Sequence, residues 1–315
     1  ILMLMLWKGI NMKDVYILAV ESSCDDTSIA IVKNGKECIA MSISSQIDVH
    51  NKFGGVVPEI ASRMHCENIL YVLEDCLSQT NLKIEDMDAI AVTYKPGLLG
   101  SLLVGLEFAK TVAAVYNKPL IGVNHLIGHI YANNIEDNLE FPLLALVVSG
   151  GHTELSIMHN NYEFELLGTT LDDAIGESFD KVARVLGFPY PGGPSIEKAA
   201  LLGKNTYNLT KPVNDETYNF SYSGLKSQVL NIINNAKMKN IEINKNDLSC
   251  SFQTIAVDEI VRKVELALKN TDIKRLALAG GVSANKYLHN ELQKICDKYL
   301  SLIHISEPTR RVVIS

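Results

Sequence analysis

His125 and His129, in the stretch VNHLIGHIYA (123–132), have the residue types and the spacing that speak most directly of chemistry. On a helix, positions i and i+4 lie on one face, one turn apart, so both imidazoles can reach a single metal ion. The same spacing also suits two hydrogen-bonded core or surface groups. Shortly after, the apolar run 143–148 ends in Ser149-Gly150-Gly151-His152. Backbone N–H groups in such a turn can approach an anion with no side chain in the way. A metal pair with an anion-binding turn points to a site that handles phosphate or an activated acyl group.

Other stretches carry weaker signals. The segment 15–32 reads as strand, polar turn, strand, and its turn holds Asp25 and Asp26. Two carboxylates there repel a phosphate unless a cation sits between them; a capped solvent loop is the plainer reading. The run 275–288 reads as strand, Gly280-Gly281 turn and helix, with Asn285 placed to bond a ribose or a base. The segment 168–187 reads as one capped helix whose Asp173, Glu177 and Asp180 form a charged face with Lys181 and Arg184. Gly192 and Gly193 sit in a rigid Pro-Gly-Gly-Pro turn, and Phe220 to Lys226 offers rings, hydroxyls and a cation to a base or to solvent.

These groups need elements to hold them. Short apolar runs at 88–93 and 119–123 read as buried strands, and His125 directly follows the second, at the strand end where α/β sheets bind ligands. Apolar residues at helical spacing mark helices over 60–77, 100–114 and 248–268. The segment 143–158 repeats the order of 15–32: apolar strand, small-residue turn, threonine (Thr153 or Thr27), strand and Asn-containing turn. This internal duplication predicts two related α/β domains, 15–140 and 141–300, facing each other across a cleft where paired hairpins clasp nucleotide phosphates. Residues 1–14 read as an upstream extension, with Met12 as the natural start. Residues 301–315 read as an atypical tail that leaves the α/β pattern.

Composition sets limits. The 315 residues are 47% hydrophobic with a net charge of −7. An acidic chain that meets nucleic acid does so through a local basic patch or with a partner's help. Six cysteines without a CxxC pair predict reduced thiols and a cytoplasmic protein. No apolar run reaches the roughly 18 residues of a membrane span.

Taken in order, eight motifs closely resemble the tRNA N6-adenosine threonylcarbamoyltransferase family, once described as O-sialoglycoprotein endopeptidases. They are ESSCDDT (21–27), FGGVVPEIASR (53–63), PGLLGSLLVG (96–105), NHLIGHIYA (124–132), VVSGGHTEL (147–155), DDAIGESFDKVARVLGFPYPGGP (172–194), FSYSGLK (220–226) and LAGGVSAN (278–285). The resemblance implies the actin-like ATPase and sugar-kinase fold, in agreement with the duplication. It implies transfer of the threonylcarbamoyl group of threonylcarbamoyl-adenylate to N6 of the adenosine just 3′ of a tRNA anticodon, with release of AMP. By the same resemblance His125 and His129 match two ligands of one divalent metal, usually Fe(II), with zinc or magnesium as alternatives. Val147, Val148, Ser149, Gly150 and Gly151 match the substrate-binding segment, and Asp180, Gly193 and Asn285 match further substrate contacts. Asp25 and Asp26 match an acidic pair near the phosphates, and either is a candidate base for the amine proton. Implied partners are tRNA, a TsaB-like paralogous subunit and a TsaE-like P-loop ATPase. The family's third metal ligand, an aspartate in a Cys-Thr-Asp-Asn type motif near the C-terminus, has no match in this sequence.

Two rival readings stand beside this one. A metalloprotease would carry a glutamate directly after its first histidine, where Leu126 stands. An actin-fold, ATP-binding regulatory subunit without catalysis would need no histidine pair, but it would tolerate the unmatched aspartate.

Overall fold

The computed structural model describes residues 13–136, 138–211, 216–299 and 302–305. The reading of 1–14 as an extension therefore falls, apart from Lys13 and Asp14, outside the described residues, as does the reading of the tail beyond Ile305. The chain divides into two compact units at Asn138/Leu139.

In the first unit the order is β1 (Tyr16–Glu21), β2 (Asp26–Lys33), β3 (Glu37–Ser45), α1 (Ile47–Asn51), α2 (Pro58–Ser78), β4 (Ala89–Lys95), α3 (Leu99–Val115), β5 (Leu120–Asn124) and α4 (His125–Glu136). The five strands lie in the order β3-β2-β1-β4-β5. β1 pairs antiparallel with β2 and parallel with β4, and β4 runs parallel to β5. Asn34 and Gly35 close the second hairpin with φ of 53° and 71°, the left-handed pair that matches strand twist. β4 is apolar on both faces because it lies inside the sheet: Ala89 to Thr93 are all buried. Its core joins Leu18, Val20, Ile29 and Ile31 of the hairpin to Ile69, Leu73 and Val112 of the helices.

The second unit holds β6 (Leu143–Val148), β7 (Thr153–Asn160), β8 (Glu163–Thr169), α5 (Ile175–Leu186), α6 (Gly192–Ala200), α7 (Ser223–Met238), α8 (Lys245–Asn270), β9 (Arg275–Ala279), α9 (Lys286–Lys298) and β10 (Leu302–Ile305). Its sheet order, β10-β9-β6-β7-β8, is the first order read from the other edge. β6 corresponds to β1, β9 to β4, and β10 to β5, with the same antiparallel and parallel senses. The duplication seen in two hairpins thus extends over whole sheets. β10 adds a strand to the α/β pattern beyond residue 300, where the sequence reading ends it. Every residue of β6 is buried, and Phe179 of α5 meets Phe252 of α8 edge-on at 5.1 Å in the same core.

One element departs from expectation. The segment 168–187 is not a single helix. Thr169 still belongs to β8, and the helix runs only from Ile175 to Leu186. Asp172 and Asp173 stay outside it because their carboxylates are used across the unit. Asp172 accepts the backbone N–H of Tyr222 at 2.7 Å and the hydroxyls of Ser221 and Ser223. Asp173 pairs with Lys181 and Lys226 at 2.7 and 2.6 Å. From Ile175 on, Ile175, Phe179, Val182, Ala183 and Leu186 form the buried stripe, and Gly187 ends the helix at φ 77°.

Candidate functional site

In the first unit the candidate groups collect at the C-terminal ends of β1, β4 and β5. Asn124 accepts the N–H groups of Leu126 and Ile127 and so caps α4, making His125 its first residue. His129 follows one turn later, and the two rings meet edge-on with Nε2 atoms 3.0 Å apart. Both are buried. Two metal–nitrogen bonds of about 2.0–2.1 Å meeting near a right angle span about 3 Å, so the converging nitrogens fit one cation. Among the described residues no group of three or more His, Cys, Asp or Glu side chains is placed to hold a metal.

Behind His125 lies Glu21, the last residue of β1. Its carboxylate stands 3.1 Å from His125 Nδ1 and accepts the Ser23 N–H and the Thr93 hydroxyl, each at 2.6 Å. Burial alone would raise its pKa, but these hydrogen bonds, His125 first, hold it below the usual range. Sequence reasoning missed Glu21: a charged residue closing an apolar strand looks like the start of a turn.

Asp25, on the turn just beyond Ser23, and Asp26, the first residue of β2, are both buried. A second network that the sequence does not announce holds this turn. His65 of α2 donates from Nε2 to the Cys24 carbonyl at 2.9 Å, and its Nδ1 lies 2.7 Å from the Thr27 hydroxyl. Gln46 donates its backbone N–H to Asp25 O and its side chain to Ala61 O, and its carbonyl stands 3.0 Å from His50 Nε2. Burial lowers the His65 pKa, so the ring stays neutral. The Cys24 thiol is pushed far up by burial and by the Asp25 carboxylate, and it stays protonated.

In the second unit the candidate groups collect at the matching strand ends, and they are mostly backbone. The side chains of Val147 and Val148 are buried in the sheet, so what they can offer a ligand is main chain. The turn after them is held by Ser149: its N–H donates to His152 O at 2.8 Å and its Oγ accepts the His152 N–H at 3.1 Å. Thr153 accepts the first N–H of α5, from Ile175, at 2.9 Å. Two glycines let neighbouring segments close on this turn. A Cβ on Gly176 would stand 2.6 Å from Ser149 O, and one on Gly280, where φ is 92°, 2.4 Å from Val148 O. Gly150, Gly151 and Gly193 are different: a Cβ on any of them would meet nothing within 4 Å. No packing demands glycine there, and the backbone lies open to a ligand.

Asp180 and Asn285 are both tied into the scaffold. Asp180 accepts the Gly192 N–H at 2.6 Å and so fixes the start of α6. Asn285 caps α9 by accepting the Leu288 N–H at 2.9 Å, and donates to Gln253 at 3.0 Å. The rings of Phe220 and Tyr222 are fully buried, so this segment offers no aromatic surface to a base. Gly176 and Gln253 are the residues here that the sequence reading did not single out.

Two copies of one five-stranded sheet, with the same order and the same strand senses, define the actin-like ATPase and sugar-kinase fold. Solved structures of that fold superpose on this chain. They include T. kodakarensis HypF, with a TM-score of 0.62 at 14% identity over 96% of this chain and 46% of that one. Component A of the (R)-2-hydroxyglutaryl-CoA dehydratase of Acidaminococcus fermentans gives 0.53 at 15% identity, over 93% and 92%.

Within that fold, the chain belongs to the tRNA N6-adenosine threonylcarbamoyltransferase family, whose profile matches residues 37–310. It is 53% identical over 283 residues to the tRNA N6-adenosine threonylcarbamoyltransferase of Bacillus subtilis, covering 90% of this chain and 82% of that protein. To that of Staphylococcus haemolyticus it is 48% identical over 301 residues, 95% of this chain and 87% of the other.

Proposed function

We propose that this chain transfers the threonylcarbamoyl group of threonylcarbamoyl-adenylate to N6 of the adenosine immediately 3′ of the anticodon in tRNAs that read ANN codons. The N6 amine attacks the carbamoyl carbonyl carbon. A C–N bond forms, the bond from that carbon to the phosphate oxygen breaks, and AMP leaves with the electron pair. The observation that carries the reading is identity of about one half to named transferases over nine-tenths of the chain. The same relatives favour this reading over the protease and the non-catalytic ATP-binding subunit.

Each unit has its own part. In the second, the open backbone of Gly150, Gly151 and Gly193 offers N–H donors to the acyl-phosphate, with Val147, Val148, Ser149, Asp180 and Asn285 holding the surrounding turns. In the first, His125 and His129 would hold one divalent metal, Fe(II) by resemblance with zinc or magnesium as alternatives. That ion supplies a Lewis acid for carbamoyl or phosphate oxygens. Asp25 or Asp26 takes the proton that the amine loses on attack. Asp25→Asn or Asp26→Asn with unchanged transfer would remove that residue from the role.

With a net charge of −7, the chain depends on partners to grip tRNA, and a TsaB-like subunit and a TsaE-like ATPase fit that need. No helix among the described residues is long and apolar enough to cross a membrane, and the reaction belongs in the cytoplasm with its tRNA. The test is transfer to unmodified tRNA with the partner proteins present, read by mass spectrometry of the nucleosides, with metal quantified on the same sample. Modified adenosine is the expected result. Its absence from a fully metallated sample overturns the proposal.

A further inference from the structure

One carboxylate, at the C-terminal end of the central strand of the first sheet, touches groups at the ends of three adjacent strands. Glu21 ends β1. Its Oε1 accepts the Ser23 N–H at 2.6 Å, and its Oε2 accepts the hydroxyl of Thr93, in β4, at 2.6 Å. The same Oε2 stands 3.1 Å from Nδ1 of His125, the residue that follows β5. We propose that Glu21 is a positioning residue that fixes His125 with its proton on Nδ1 and its lone pair on Nε2, the nitrogen that faces His129. For its metal arm this rests on the reading of the two imidazoles as ligands; the tautomer itself does not.

The argument is one of donors and acceptors. A carboxylate only accepts, so the neutral imidazole nitrogen beside it must carry the hydrogen, and the other nitrogen is left with the lone pair. Ser23 Oγ lies 3.1 Å from the same Nδ1, but a hydroxyl can donate or accept, so it does not decide the tautomer. On the far side of the ring the two Nε2 atoms are 3.0 Å apart, a hydrogen bond in which His129 donates to the His125 lone pair. A metal would take up that lone pair. Carboxylates behind ligating histidines act in this way, by setting ring orientation and basicity.

The arrangement makes Glu21→Gln informative, because it keeps the volume and replaces one acceptor by a donor. The Ser23 N–H is a backbone donor with no alternative role, so the amide oxygen takes its side. The NH2 group then faces Thr93 and His125. The threonine hydroxyl can turn round and accept. The imidazole must accept at Nδ1, its proton moves to Nε2, and the ligand lone pair is lost.

The experiment is imidazole nitrogen NMR on the metal-free, full-length protein, followed by titration with Zn2+ alone against a chelating dye. In the parent, His125 should carry its proton on Nδ1. In Glu21→Gln it should carry it on Nε2 and bind Zn2+ about 10- to 100-fold more weakly. Glu21→Asp, which keeps an acceptor-only group, should restore the parent tautomer, and Thr93→Val, which removes a donor and adds none, should leave it in place. A parent His125 protonated on Nε2 overturns the proposal, as does a Glu21→Gln protein that keeps the parent tautomer and parent Zn2+ affinity. Should Glu21→Gln fail to fold, the parent spectrum and Thr93→Val still decide. A parent that binds no Zn2+ defeats the metal reading, while the tautomers continue to report on Glu21.

Discussion

At the ends of β1, β4 and β5 the first unit presents side chains: Glu21, Thr93 and His125, held together by hydrogen bonds of 2.6 and 3.1 Å. At the ends of β6 and β9, the corresponding strands of the second sheet, stand Ser149-Gly150-Gly151 and Gly280-Gly281. One topology is used twice, once to aim imidazoles and carboxylates and once to bare the main chain. The difference lies in which residue closes each strand. Where it is Glu21 the strand end gathers donors; where it is Val148 with glycines behind, neighbouring segments pack close and the main chain of the turn is left open. Duplication supplies a frame, and the chemistry of each copy is written in a few residues past the strand ends.

The comparison can be broken at its strongest point first. His129→Ala should lower threonylcarbamoyl transfer by about 100-fold or more and remove bound metal, measured by nucleoside mass spectrometry and elemental analysis. Retained transfer would mean that the first unit does not work through its histidine pair. Next, Gly280→Ala puts a Cβ 2.4 Å from Val148 O at a φ of 92°. It should destabilise the second unit by about 3 kcal/mol in denaturant unfolding. Gly151→Ala meets open space and should leave stability within about 0.5 kcal/mol while transfer falls roughly tenfold. If the two glycine variants behaved alike, the division between packing and binding glycines would be wrong. Asn285→Ala removes the α9 cap, for a loss of about 1 kcal/mol in the same unfolding measurement.

The smallest effect concerns pH. Burial raises the Asp173 pKa, but its hydrogen bonds and ion pairs with Lys181 and Lys226 outweigh that and hold it below the ordinary carboxylate value. A depressed folded value means that the stabilisation is fully present above the unfolded pKa of about 3.9 and is lost as pH falls through the lower folded value. Asp173→Asn should therefore be less stable than the parent at neutral pH. The gap should close below about pH 4, as thermal unfolding across pH would show.

Much of this was legible in the sequence because it is local. The runs that became β4 and β6 are unbroken apolar stretches between turn residues, and the i, i+4 histidines needed only a helix to bring them together. What was not legible is set by contacts distant in sequence. Glu21 and His125 are 104 residues apart, and Glu21 and Thr93 are 72. Nothing in either local stretch marks the pairing. Asp173 looks like part of a helical stripe until Lys226, 53 residues later, draws it out of the helix. The burial of Phe220 and Tyr222 is likewise decided by packing, since the same rings and hydroxyls would suit an exposed loop.

The protonated state of Cys24 has a practical side for thiol chemistry. Alkylating reagents and peroxides attack the thiolate, and a thiol held protonated by burial beside Asp25 offers them little. Cys76 and Cys296, both buried and with thiols pushed up to about 11, are similarly shielded. Cys66, on the exposed side of α2, is not. A fluorophore or spin label added to the folded protein would thus find Cys66 ahead of the partly buried Cys38 and Cys250, leaving the turn beside Asp25 chemically untouched.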